Sequence, residues 1–330
     1  MSNGLQTTFT ALFRGSNGSA KYLNHVKIAI IRSFLNNSTI RQQQALAPTI
    51  DEAYPVFAKK KGFAPSNVEL SDGTKAYWFG NKDAEKIILW FHGGGYNMPP
   101  DPGHLVYINE LQKSAGSKVA ILMLSYALAP HEIYPYQLRQ AVELVRYVCT
   151  ELKRKPQNVS IAGDSAGANL AIGILSHVLH PHPEIPALRF EPGQKLGAAI
   201  LLAPWASFRT DYPSATYNAR KDFVSAIAAN RWSNSFLGGK KTDEYNQPLS
   251  AEPDWWKGLE GVVEEILILG GSHELLLDVI REMNGRFEAV HSKVTLVIAE
   301  GEWHDRPVSS ALGMGGELSE AIKSYVKARL

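Results

Sequence analysis

Six nearly continuous apolar runs, at residues 86–91, 119–124, 159–162, 198–202, 266–269 and 294–298, constrain this chain more than any other feature of its sequence. Runs of that length without polar alternation suit strands covered on both faces, the condition of strands inside a parallel sheet. Between them lie segments of helical periodicity, at residues 138–152, 169–179, 275–290 and 309–330. Strand and helix in regular alternation predict an α/β fold: a mostly parallel central sheet flanked by helices on both faces. Upstream, Val68-Glu69-Leu70 and Ala76-Tyr77-Trp78-Phe79 flank Ser71-Asp72-Gly73-Thr74, which predicts a hairpin and an antiparallel edge.

Two regions break the alternation. Residues 1–65 carry helical stretches with Pro48, Pro55 and Pro65 but no strand pattern, and residues 205–260 are rich in aromatics such as Trp205, Phe208, Phe223, Trp232 and Trp256. An insertion placed after the C-terminal end of a sheet strand usually covers a site. The two regions are therefore expected to form one cap. The chain divides accordingly into an N-terminal helical cap segment (1–65), the first part of the α/β core (66–204), a cap or lid insertion (205–260) and the second part of the core (261–330). Most of the insertion's aromatics are expected to serve cap-to-core packing.

At 330 residues, 45% hydrophobic and 20% charged, the chain has the material for a substantial buried core. Its 34 Lys and Arg against 32 Asp and Glu leave a net charge of +2, no footprint for a nucleic-acid partner. Cys149 is the lone cysteine and has no internal disulfide partner; beside Val148 it reads as a small core residue. Residues 1–10 lack the basic and apolar regions of a secretory leader. Val26-Lys27-Ile28-Ala29-Ile30-Ile31 is too short to span a bilayer and reads as an amphipathic helix lying on protein or on a membrane surface. A cytoplasmic protein is the expectation, with membrane contact by this segment left open.

The chemistry concentrates in three places. Gly163-Asp164-Ser165-Ala166-Gly167 stands between a strand and a helix, where a serine must occupy a tight, strained turn that lifts its hydroxyl above the sheet. The flanking glycines Gly163 and Gly167 are required because a β-carbon there would collide with neighbouring backbone, and the following helix aims its N-terminus at developing negative charge. Upstream, His92-Gly93-Gly94-Gly95 directly follows the apolar run ending at Phe91. Its glycines let backbone amides converge on one point, so Gly94 and Gly95, joined by the amide of Ala166, are the candidate oxyanion hole. His92 is then expected to fix the loop by hydrogen bonds.

A nucleophilic serine needs a base, and the base an orienting carboxylate. On a sheet with such an elbow the chain order is serine, acid, histidine. His304 falls in the loop after the last strand, made by Gly301, and is the best-placed base among ten histidines. After the preceding strand come Glu274 and Asp278; Glu274, in the loop just past the strand, is the better placed acid, and Asp278 lies a helical turn further on. His273 is expected to point away. His180 and His182, in His180-Pro181-His182-Pro183, lack a ligand partner at metal spacing and read as a turn. No G-x-G-x-x-G or G-K-[ST] motif opens a nucleotide site, and no cofactor is expected.

The order H-G-G-G, Tyr126-Ala127-Leu128-Ala129-Pro130, G-D-S-A-G and Gly301-Glu302-Trp303-His304 resembles the hormone-sensitive-lipase-like branch of the α/β-hydrolases, over roughly residues 66–330. Tyr134-Pro135-Tyr136-Gln137-Leu138-Arg139 and Gly167-Ala168-Asn169-Leu170 are similar to the fungal esterases of that branch, which include steryl acetyl hydrolases and deacetylases of secondary metabolism. The resemblance implies a cap over the sheet, a small-molecule ester substrate, no cofactor, and Ser165, Glu274 and His304 as the triad. Three positions depart from it. Glu274 stands where the family commonly has Asp. Ala127 and His131 replace an Arg and a Glu of the usual Y-R-L-A-P-E, and Ala168 replaces a frequent glycine. The expected reaction is hydrolysis of a lipophilic ester through an acyl-enzyme. The alternatives are an acyltransferase, lactonase or amide hydrolase using the same triad, or a ligand-binding module of the kind the gibberellin receptor represents.

Overall fold

The computed structural model describes residues 22–330; the reading of residues 1–10 lies outside the described residues. Eight strands form one sheet: β1 (Asn67–Glu69), β2 (Lys75–Phe79), β3 (Lys86–Phe91), β4 (Val119–Leu124), β5 (Val159–Asp164), β6 (Ala198–Leu202), β7 (Ile266–Gly271) and β8 (Val294–Ala299). Their spatial order is β1-β2-β4-β3-β5-β6-β7-β8. β2 pairs antiparallel with both β1 and β4, and the remaining pairs are parallel. The apolar runs are thus the parallel strands, and the hairpin is the antiparallel edge.

Ten α-helices follow the same chain order: α1 (Tyr22–Asn37), α2 (Ile40–Gln44), α3 (Ile50–Lys61), α4 (Pro102–Ala115), α5 (Tyr136–Thr150), α6 (Ala166–Leu179), α7 (Pro213–Tyr217), α8 (Ala226–Leu237), α9 (Leu277–Glu288) and α10 (Glu317–Arg329) among the described residues. Strand side chains alternate between two apolar layers, as a two-residue period demands. Ile87, Leu89 and Phe91 of β3 join α5, α6 and α9 on one face. Ile88 and Trp90 join α3, α4 and α10 on the other. β8 is the outer strand, and Thr295 is exposed, so the last apolar run is covered less fully than the inner ones.

The helical pattern at residues 309–330 is corrected: the helix starts only at Glu317. Gly313, Gly315 and Gly316 have φ of 95°, 93° and 97°, a left-handed run that no α-helix can incorporate. A helix not read from the sequence, α4, fills the β3–β4 connection with an Asp101 N-cap and Pro102 in its first turn.

The N-terminal span and the insertion meet over the C-terminal ends of the strands. From α8, Arg231 donates to three carbonyls at the end of α1, those of Leu35 (2.8 Å), Ser38 (2.6 Å) and Asn36 (2.7 Å). Trp232 Nε1 donates to Gln43 Oε1 of α2 at 3.0 Å. α3, although within the same N-terminal span, packs instead on the sheet: its Tyr54 hydroxyl donates to the Trp78 carbonyl of β2. On α1, Ile28 and Ala29 are buried while Leu23 and Ile30 face outward. No helix among the described residues is long and apolar enough to cross a membrane.

Because one guanidinium satisfies three terminal carbonyls of α1, Arg231→Ala is expected to destabilise the protein by roughly 2 kcal/mol. Thermal unfolding together with limited proteolysis checks this, with new cleavage appearing in α1, α2 or α8 before the core opens.

Candidate active site

The elbow is built by backbone crowding. Ser165 has φ 52° and ψ −114°, a conformation costing about 1–3 kcal/mol that a non-glycine residue holds only when its surroundings impose it. They do so through Gly167, where a Cβ would lie 1.9 Å from the Phe91 carbonyl oxygen, and Gly163, where it would lie 2.4 Å from the Gly167 carbonyl carbon. Ser165 N–H donates to the Leu202 carbonyl of β6 at 2.9 Å, locking the turn to the sheet. The hydroxyl therefore stands at the start of α6, where the helix dipole favours negative charge.

The H-G-G-G loop reaches the same place. Gly93 N–H donates to Asp164 Oδ2 at 2.8 Å, which fixes the loop and commits that amide. Gly94 and Gly95, at φ 108° and 61°, line a cavity with Ser165, and their amides and that of Ala166 donate to no group among the described residues. His92 stacks on Tyr126 with centroids 4.2 Å apart, and its Nδ1–H donates to the Gly93 carbonyl at 2.6 Å. Burial first, then the neighbouring His104, lowers its pKa to about 4, so it is a neutral strut.

His304 Nε2 lies 2.8 Å from Ser165 Oγ, and its Nδ1 lies 2.9 Å from Glu274 Oε2. The extra methylene of Glu274 is accommodated by folding the side chain back on its own strand end, where Oε1 accepts from Gly271 N–H at 2.6 Å. Asp278 is elsewhere: Oδ2 accepts from Ser214 N–H at 2.7 Å, so it braces α7 against α9. His273 does not join the group, and the Nε2–H of His180 donates to the Trp255 carbonyl at 2.8 Å. His182 packs edge-on against Tyr134 and Tyr245. Cys149 is partly buried against the core. Over Ser165 and His304 is a cavity of ≈ 270 Å³, walled by Ile31, Phe34 and Leu35 of α1 and by Phe223, Val224 and Trp232 of the insertion.

The sequence profile of the α/β-hydrolase fold matches residues 88–307, about two-thirds of the chain. The chain belongs to the α/β-hydrolase fold family. It is similar to an esterase of Gibberella moniliformis, 24% identical over 249 residues, 74% of each chain. It is also similar to an acetyl-hydrolase of Streptomyces hygroscopicus, 29% identical over 199 residues, 60% of each chain. An esterase from the bacterial hormone-sensitive lipase family superposes with a TM-score of 0.71 at 21% identity, covering 92% of this chain and 98% of that one. Around Ala127, where this α/β-hydrolase departs from the Y-R-L-A-P-E pattern, two glutamine side chains bind the backbone. Gln140 Oε1 accepts from Ala127 N–H at 2.8 Å, while Gln137 Nε2 donates to the Ala127 and Glu132 carbonyls at 3.0 and 2.9 Å.

The hydrolase site holds four charged or polar groups that sequence patterns did not single out. His104 of α4 donates from Nε2 to Asp164 Oδ2 at 2.8 Å. Burial opposes its charge, but the Asp164 carboxylate, joined by Asp101 and Asp305, overcomes burial and raises its pKa to about 9. Asp164 is burdened by burial in turn, and His104 brings it below the usual carboxylate range. Asp222 of the insertion accepts from Leu275 N–H at 2.7 Å, next to Glu274, and burial pushes its carboxyl up to about 6. Asn97 ties Gly95 to Trp232 by donating to both carbonyls, at 2.5 and 3.0 Å. Asp305, beside His304 Nε2, is the fourth. Asp305 adjoins the candidate base in sequence, but no pattern marks any of the four.

The folded pKa of His104 lies above its ordinary 6.5, so its pairing stabilises the protein fully below pH 6.5 and is lost as pH rises through 9. Wild type is expected to lose on the order of 3 kcal/mol across that window from this group. Denaturant unfolding at pH 6 and pH 9.5 should show the fall in wild type and a smaller one in His104→Gln.

Proposed function

We propose that the chain is a serine carboxylic-ester hydrolase acting on a lipophilic small-molecule ester through an acyl-enzyme. The observation that carries this reading is the contact chain from Glu274 through both nitrogens of His304 to Ser165 Oγ. Glu274 Oε2 accepts a hydrogen bond from Nδ1–H, which leaves the Nε2 lone pair directed at the serine hydroxyl. His304 removes that proton as Oγ attacks the ester carbonyl, and the amides of Gly94, Gly95 and Ala166 receive the oxyanion. The imidazolium then protonates the leaving alcohol. Water repeats the sequence on the acyl-enzyme and releases the acid.

The relatives support the same chemistry, since they are named esterase and acetyl-hydrolase. The acetyl-hydrolase supports a short acyl group. The apolar walls supplied by α1 and the insertion support a lipophilic partner, as such sites are mainly hydrophobic with a few placed polar groups. Deacetylation of a secondary metabolite is the specific form of the reaction that the resemblance to the fungal esterases implies.

A panel of nitrophenyl esters of increasing acyl length tests the reading. Ser165→Ala is expected to lower kcat by roughly 10⁴-fold or more, with wild type preferring the short acyl chains. Wild type that hydrolyses none of them and resists a serine-directed phosphonate overturns the proposal. For the acid, Glu274→Gln should cost roughly 10²–10⁴-fold in kcat, while Asp278→Asn retains most of it; the reverse ranking would remove Glu274 from its role.

A further inference from the structure

Asp305 touches the reacting nitrogen although the triad does not require it. Its Oδ2 lies 3.1 Å from His304 Nε2, whose other neighbour is Ser165 Oγ at 2.8 Å. Its Oδ1 is buried with no hydrogen-bond partner among the described residues, and the whole residue is 7% exposed. A left-handed backbone, φ 50° and ψ 33°, sits at the residue next to the base and accompanies this return of the carboxylate to the histidine ring. A buried carboxylate whose one polar partner among the described residues is an imidazole nitrogen is costly unless that nitrogen carries a proton.

Resting on the ester-hydrolase reading, we propose that Asp305 is a second carboxylate of the catalytic histidine. It stabilises the imidazolium through Nε2, and Ser165 is armed only when the Asp305–His304 pair has given up the proton it shares.

The single in-plane position at Nε2 holds either a lone pair or an N–H. When it holds the lone pair, Ser165 O–H donates to it and an ionised Asp305 Oδ2 faces it unfavourably. When it holds a proton, Asp305 accepts the N–H and the serine has lost its base. During attack the Oγ–H bond breaks, the Oγ–C bond forms, the carbonyl electron pair moves to oxygen and the proton passes to Nε2. There it lies against Asp305 while Glu274 holds Nδ1. As the ester C–O bond breaks, the proton leaves with the alcohol oxygen, and Asp305 ends the cycle unchanged. Asp305 thus favours the charged state that develops in the transition state and also delays arming to higher pH.

The surroundings act on the pair from several elements. Asp164 of the elbow and Glu274 of the β7 loop face Asp305 with like charge, Asp222 of the insertion faces His304, and His104 of α4 faces Asp305 with opposite charge. Burial works against charge on His304, yet Asp305 and then Glu274 hold its pKa well above the ordinary value. Burial raises Asp305 as well, and Asp164 and Glu274 push the same way against His304.

The test is the second-order rate of labelling by a serine-directed phosphonate from pH 5 to 9.5, which needs Ser165 and its base but no particular substrate. Asp305→Asn, a residue that tolerates the left-handed backbone, is expected to move the acid limb down by about one pH unit or more. Its plateau rate should fall below that of wild type. Asp305→Gly, compared at matched Tm, carries the same expectation if the Asn variant folds poorly. Coincident acid limbs in wild type and the folded variant overturn the role of Asp305 and leave the nucleophile intact. Wild type that is labelled at no pH overturns the ester-hydrolase reading, and the role of Asp305 with it.

Discussion

The first turn of α6 approaches the end of β3 so closely that only glycine fits between them, and the geometry of the site depends on that approach. At Gly167 a Cβ would lie 1.9 Å from the Phe91 carbonyl oxygen, and at Gly163 it would meet the Gly167 backbone at 2.4 Å. With both β-carbons removed, the helix N-terminus comes down on the sheet, and Ser165 takes up the strain at φ 52°. The H-G-G-G loop leaves β3 at Phe91, so the contact that forces the elbow also delivers the loop to the serine. Asp164 extends the arrangement beneath it, accepting from Trp90 Nε1 at 3.0 Å, from Gly93 N–H at 2.8 Å and from His104 Nε2 at 2.8 Å.

Around this backbone contact the site concentrates buried carboxylates: Asp164, Asp222, Glu274 and Asp305 are each 7% exposed or less. Ionised groups in such surroundings persist only with hydrogen bonds and opposite charge. Backbone amides serve Glu274 and Asp222, and a protonated His104 serves Asp164. Among the described residues Asp305 has only the His304 imidazole, at 3.1 Å. A site rich in negative potential suits a base that must hold a transient positive charge in an apolar cavity. The N-terminal span and the insertion contribute both parts of that setting: α1 and α8 supply walls, and Asp222 braces the turn that carries Glu274.

Much of the architecture was legible because its signals are local. A strand buried on both faces must be apolar at every position, and the parallel strands announce themselves in that way. The elbow and the H-G-G-G loop are equally local, since close backbone approach demands glycine at fixed positions. Legibility failed where burial and polarity diverge. α4 hides its inner face because His104 and Asn109 are buried there beside Leu105 and Ile108. The segment 309–316 read as helix because apolar spacing outweighed its glycines, whose left-handed backbone prevents one. Asp305 gave no pattern because neighbours in sequence usually direct side chains apart, and here a left-handed backbone accompanies its approach to its neighbour's ring.

By itself the sequence determined the sheet's strands, the turn that holds Ser165, the H-G-G-G loop and the chain order in which Glu274 and His304 follow, since each is imposed by short-range sterics or by chain direction. Tertiary structure decided which carboxylate meets His304, because Glu274 and Asp278 differ by one helical turn and that distance has meaning only once β7 and β8 lie side by side. It also decided the charge environment. The pairing of His104 with Asp164 and the approach of Asp305 to Nε2 join α4, the elbow and the last loop, elements remote in the chain or turned by an uncommon dihedral. Proton affinity is a property of that assembled, water-poor space, and no local stretch of residues contains it.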